Sequence, residues 1–98
     1  MNMQAMMQQA QKLQREIMKK KEEIEKEIFS GKSEWVEVQF NGKKEMVSIK
    51  IVKCGDITED DKEILEDMII LAVKDAIKKI EEETEKKLGQ YSSLSDLM

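Results

Sequence analysis

Residues Glu34–Lys53 read EWVEVQFNGKKEMVSIKIVK, and this stretch decides the fold. Asn41-Gly42 stands between two runs of alternating apolar character. Asn-Gly there is a strong hairpin signal, because both central residues of a type I′ turn need φ > 0. Before it, Val36, Val38 and Phe40 share one face, with Trp35, Glu37 and Gln39 on the other. After it, Val47, Ile49 and Ile51 alternate with Ser48 and Lys50. A two-residue loop predicts Phe40 opposite Lys43 and Val36 opposite Val47, which puts the apolar sets on the same face. An odd loop would put them on opposite faces. Two strands alone are marginally stable, so the flanking helices must cover the apolar face.

At 98 residues the chain is one domain, with 39% charged residues, 4% aromatics and no proline, a profile of long solvated helices. Seventeen basic and 21 acidic residues leave a net charge of −4, unevenly distributed. Met1–Lys21 holds five basic residues and one acid, whereas Cys54–Ile77 holds eight acids and two lysines. One cysteine and no histidine exclude a disulfide framework and any Cys/His metal site. The longest apolar run, Met68–Val73, is far short of the roughly 20 residues of a membrane span, and no secretion signal is evident. The expectation is a soluble cytoplasmic protein with no membrane partner.

Residues 1–29 are expected to contain one helix from Met3, with Met3, Met6, Ala10, Leu13, Ile17, Lys20 and Ile24 forming a heptad seam. It would run about 40 Å, longer than the hairpin, so part of it projects as an arm. Ser30-Gly31 is expected to stop it, with Gly31 as a left-handed cap. Met1, Met3, Met6 and Met7 are open to two readings: an adaptable binding surface, or seam filler behind an initiator. Thr58-Glu59-Asp60-Asp61 reads as the start of the second helix (58–88), where Thr58 can cap and the acids meet the helix dipole. Gly89 ends it and 89–98 is expected to fray. The middle of this helix is apolar nearly all round, and one hairpin covers only one side. A homodimer follows as an expectation, with Leu65, Met68, Ile69, Ala72, Val73 and Ala76 at its interface.

Nucleophilic catalysis lacks its histidine. Asp56, Glu59, Asp60 and Asp61 lack the alternating ligands and central glycine of a calcium loop and fit helix capping. Cys54 fits an inert loop thiol better than a reactive one, and no glycine-rich phosphate loop occurs. The chain is therefore read as a non-enzyme with no catalytic residues, metal, cofactor or small-molecule substrate. What remains is Lys12, Arg15 and Lys19 at i, i+3 and i+7, extended by Lys20 and Lys21. Each can contact phosphate without any base edge. Ordinary solvated helix lysines have the same appearance. Lys43, Lys44, Lys74, Lys78 and Lys79 are weaker candidates, and glutamates at i, i+4 are expected to neutralise Lys86 and Lys87.

Three stretches, MQQAQKLQREI (7–17), VEVQFNGKKEMVSIKI (36–51) and LEDMIILAVKDAIKKIEEETEKKLG (65–89), resemble the YbaB/EbfC family of bacterial nucleoid-associated proteins. The last is the most specific, with its L-E-D start, V-x-D-A centre and E-E-x-x-E-K-x-x-G end in order. Val52-Lys53-Cys54-Gly55 departs from the acid-proline pair common in that family. The resemblance implies an α+β fold of long helix, hairpin and long helix over 1–98. It further implies a homodimer with arms projecting like tweezers, which binds double-stranded DNA with little sequence preference. A role in nucleoid organisation or gene regulation would follow. DNA binding would fall on the projecting helix, here Lys12, Arg15, Lys19, Lys20 and Lys21. The competing reading is a dimeric coiled-arm module that binds another protein and has no direct DNA role.

Overall fold

The computed structural model describes residues 2–91. Helix α1 (Met3–Lys26) is followed by strands β1 (Ile28–Lys32), β2 (Val36–Asn41) and β3 (Met46–Ile51), then helix α2 (Lys62–Leu88). The three strands form one antiparallel sheet in the order β1-β2-β3. The architecture is α+β, as expected, with one strand more than the hairpin. The frayed tail expected for 89–98 lies mostly outside the described residues; Gly89–Tyr91 form a 3-10 turn.

The additional strand corrects the boundary of the first helix. The Asn2 side chain accepts the Gln4 N–H (3.0 Å) and caps α1, which ends at Lys26, not near residue 29. Ser30-Gly31 is not a helix stop but the middle of β1. Phe29 and Gly31 point into the core and Ile28, Ser30 and Lys32 away from it. Gly31 serves close packing, not a left-handed cap. A Cβ there would overlap the Ala72 carbonyl oxygen, so its hydrogen is what lets α2 lie against the sheet.

The hairpin forms, but its loop is not the expected pair of residues. Asn41 stays in the strand and pairs with Glu45, leaving the three residues 42–44 as the loop. The Asn41 side-chain oxygen accepts the N–H groups of Lys43 (2.9 Å) and Glu45 (3.1 Å), and the positive φ falls on Lys44 (65°). Gly42 is needed for another reason. Its N–H donates to the Glu25 carbonyl (3.3 Å), and a Cβ there would overlap the Ile24 carbonyl oxygen. The register therefore pairs Phe40 with Met46, Val38 with Ile49 and Val36 with Ile51, in place of the expected Phe40–Lys43 and Val36–Val47. A three-residue loop would turn Ile49 and Ile51 outward. The irregularity at Gln39/Phe40 leaves Val47 unpaired and returns them to the face of Val38 and Val36.

α2 packs across β1 and β2, and the core comprises Ile24, Phe29, Val36, Val38, Phe40, Ala72, Ala76 and Ile80. Its start is one turn later than Thr58. Glu59–Asp61 form a 3-10 turn, and the Asp61 carboxylate accepts the Thr58 N–H (2.9 Å) and hydroxyl (3.2 Å). The Thr58 backbone bond, its hydroxyl and nearby Lys53 hold the Asp61 carboxyl below the usual carboxylate range, against a smaller opposing effect of burial. Lys53 also donates to the Asp56 carbonyl (2.8 Å) and sits 5.1 Å from the centre of the Trp35 ring. This ties the β3–α2 loop to the β1–β2 turn, whose Ser33 hydroxyl donates to the Met68 carbonyl of α2 (2.7 Å).

Candidate nucleic-acid interface

α1 meets the far end of α2 antiparallel to it. Lys20 lies over the Tyr91 ring (5.2 Å) and Glu27 beside Lys87 (3.6 Å). Residues 3–19 consequently run past the end of α2 as an arm about 25 Å long. The molecule measures 71 × 21 × 15 Å. Along the arm Leu13 and Ile17 are half-buried and every other described side chain is exposed.

Helical geometry sorts the five basic candidates. At about 100° per residue, Lys12, Arg15 and Lys19 fall within a stripe some 60° wide. That stripe lies roughly opposite the seam that carries Ile17 and Ile24, and all three side chains are exposed. Lys20 and Lys21 do not extend it; they flank the seam on its two sides. Lys20 is half-buried against Tyr91. Lys21 lines a cleft of about 380 Å³ with Lys43 and Lys44 of the hairpin tip. Glu25, Glu81 and Glu85 line the same cleft, and Lys44 pairs with Glu81 (3.6 Å), so its charges cancel.

Two lysines of α2, Lys79 and Lys87, are engaged structurally. Lys79 donates to the Ser30 carbonyl (2.6 Å) and pairs with Asp75 (3.4 Å). Asp75 in turn accepts the Lys32 N–H (3.0 Å). That backbone bond first, then Lys79 and Lys78, keep its carboxyl below the usual range despite some desolvation. Together the two side chains close the outer edge of β1. Lys87 pairs with Glu83 at i−4 (3.5 Å) and with Glu27.

The outer edge of β3 has no such closure among the described residues. Its inner-face side chains Ile49 and Ile51 are each 48% exposed, and Ile70 and Leu71 of α2 are 51% and 54% exposed. Of the six residues expected at a surface between chains, Leu65, Met68, Ile69 and Val73 pack half-buried at the core's margin. Ala72 and Ala76 are wholly buried inside one chain, against Gly31. Reading α2 as apolar all round did not distinguish its sheet-facing side, which small residues mark.

The YbaB/EbfC DNA-binding family model matches residues 1–94. A nucleoid-associated protein of Lactococcus lactis subsp. lactis is 46% identical over 93 residues, covering 94% of each chain. One from Streptococcus suis is 44% identical over 93 residues, again covering 94% of each. One from Enterococcus faecalis is 40% identical over 93 residues, covering 93% of this chain and 88% of its own.

Proposed function

The chain belongs to the YbaB/EbfC DNA-binding family, and from that premise we propose that it acts in the bacterial nucleoid as a homodimer that binds duplex DNA chiefly through phosphate contacts, with low sequence specificity. The observation that carries this reading is the arm: among the described residues it runs past the end of α2, with Lys12, Arg15 and Lys19 exposed on one stripe and Glu16 the one acid before Glu22. Phosphate contacts need charge and reach, and the arm supplies both despite the net charge of −4. The acids lie mainly elsewhere, on Asp56–Asp67 and the end of α2.

Dimerisation is supported by the apolar surface left on β3 and α2. Val47, Ile49, Ile51, Ile70 and Leu71 are each about half exposed, a combination that a second chain would cover. Leu65, Met68, Ile69 and Val73 would border that contact. Two chains double the arm's basic stripe. The nucleoid setting follows the names of the relatives, and gene regulation would follow from occupancy of DNA.

The test is fluorescence anisotropy of a labelled random-sequence duplex at several salt concentrations. With about six phosphates engaged by two arms, affinity should fall roughly 10³-fold between 50 and 200 mM salt. Absence of binding at 50 mM salt would overturn the reading. It would favour the coiled-arm module, for which Met3, Met6 and Met7, exposed at the arm's end, supply the apolar contacts.

A further inference from the structure

Beside the lysines the arm carries a second pattern, whose glutamines phosphate binding does not use. Gln4, Gln8, Gln11 and Arg15 recur at steps of four, three and four residues. On α1 this spacing places them within about 60° of one another, on a stripe some 16 Å long. All four are exposed, and Gln11 and Arg15 line one shallow surface groove with Gln14 and Met18. Lys12 and Lys19 border this stripe on one side. Glu16 lies about 100° around the helix from Arg15, so no carboxylate faces outward there.

We infer that this stripe enters the major groove of duplex DNA, with Gln8, Gln11 and Arg15 reaching base edges while Lys12 and Lys19 hold one phosphate strand. The inference rests on the arm being the DNA-binding element. A helix with side chains is about 10–12 Å across, and the major groove is about 12 Å wide. A 16 Å stripe spans about five base pairs at 3.4 Å each. The side-chain types match the groove. Glutamine donates to N7 and accepts from N6 of adenine, and arginine donates to O6 and N7 of guanine. Lysines alone would serve phosphates equally well from outside the groove, so they leave the glutamines without a role. Phosphates would still dominate affinity, and the base contacts would add a modest preference over it.

The experiment compares the full-length protein on two duplexes of one sequence, one with ordinary purines and one with 7-deazaadenine and 7-deazaguanine throughout. The modified duplex keeps every phosphate and loses every N7 acceptor. Wild type is expected to bind it about tenfold more weakly, with an unchanged salt slope. The variant Q8A/Q11A keeps its helix, since alanine is the best helix former. It should bind both duplexes with a difference of no more than about threefold. Equal wild-type affinity for the two duplexes would overturn the groove reading and leave phosphate binding standing. A tenfold difference that persists in Q8A/Q11A would overturn the assignment to the glutamines. Binding to neither duplex at 50 mM salt would remove the DNA-binding reading itself, and the groove with it.

Discussion

Gly31 and Ala72 approach so closely that no side-chain carbon fits between the sheet and the second helix at that point. The contact is made by two residues with almost no side chain, 41 positions apart in the chain, and it sets how deeply α2 lies on β1 and β2. Gly31→Ala must push the helix off the sheet or strain the strand. Overpacking of this kind costs about 1–3 kcal/mol or more. The loss would be read as a lower urea midpoint with an unchanged slope, and wild-type stability in G31A would refute the account of this contact.

The hairpin tip makes an opposite pair of predictions. Lys44 holds φ at 65°, a conformation that glycine adopts without cost, so Lys44→Gly should stabilise by about 0.5–1 kcal/mol. Gly42→Ala, only two residues away, should destabilise, because its Cβ would overlap the Ile24 carbonyl oxygen. Thermal unfolding of the two variants should shift in opposite directions.

Charge reversal separates the basic stripe from the cleft. K12E/R15E/K19E should abolish duplex binding in anisotropy while far-UV circular dichroism stays unchanged. K44E removes a charge already paired with Glu81 and should weaken binding much less. Equal losses from the two changes would place the contact at the arm's root instead of along the arm.

Leu71→Asp and Ile51→Asp test the association of two chains. Each residue is about half exposed within one chain, so the carboxylate can reach water in the monomer. Buried between two chains it would be unpaired, at a cost of several kcal/mol. Light scattering should report a dimer for wild type and a folded monomer for the variants. A dimer that survives both changes would exclude this surface.

Two carboxylates make stability depend on acid. Asp61 accepts bonds from Thr58, and Asp75 from the Lys32 N–H, so both are held below their ordinary value of 3.8 in the folded chain. Their contribution is fully present above that value and is lost as pH falls through the depressed folded values. Urea midpoints of wild type should therefore decline as pH drops below about 4. D61N/D75N should start lower at pH 6 and decline less over the acid range. Parallel curves would show that neither bond is linked to protonation.

Much of the fold follows from local pattern. The end of α2 at Leu88, the inward set Val36, Val38 and Phe40, and the projection of α1 beyond the body all follow from periodicity and helix rise. The stripe Lys12, Arg15 and Lys19 was visible for the same reason, since spacing on a helix is a property of the backbone alone. Lys20 and Lys21 were not separable from it as a patch until Tyr91 and the hairpin tip were seen beside them.

Three features depended on residues distant in the chain. Ile28–Lys32 is a strand because β2 pairs with it and α2 seats on Gly31; five residues with one large inward side chain, Phe29, show too little alternation by themselves. The register of β3 was decided by Gly42 packing under α1, which moved the positive φ to Lys44 and required a bulge at Val47. Ala72 and Ala76 belong inside one chain because glycine faces them. The sequence by itself determined which residues are apolar, how they repeat and where the charge lies, because backbone geometry makes those local. The tertiary structure alone decided which residue turns the chain and which glycines admit a neighbour, because steric fit exists only between surfaces already brought together.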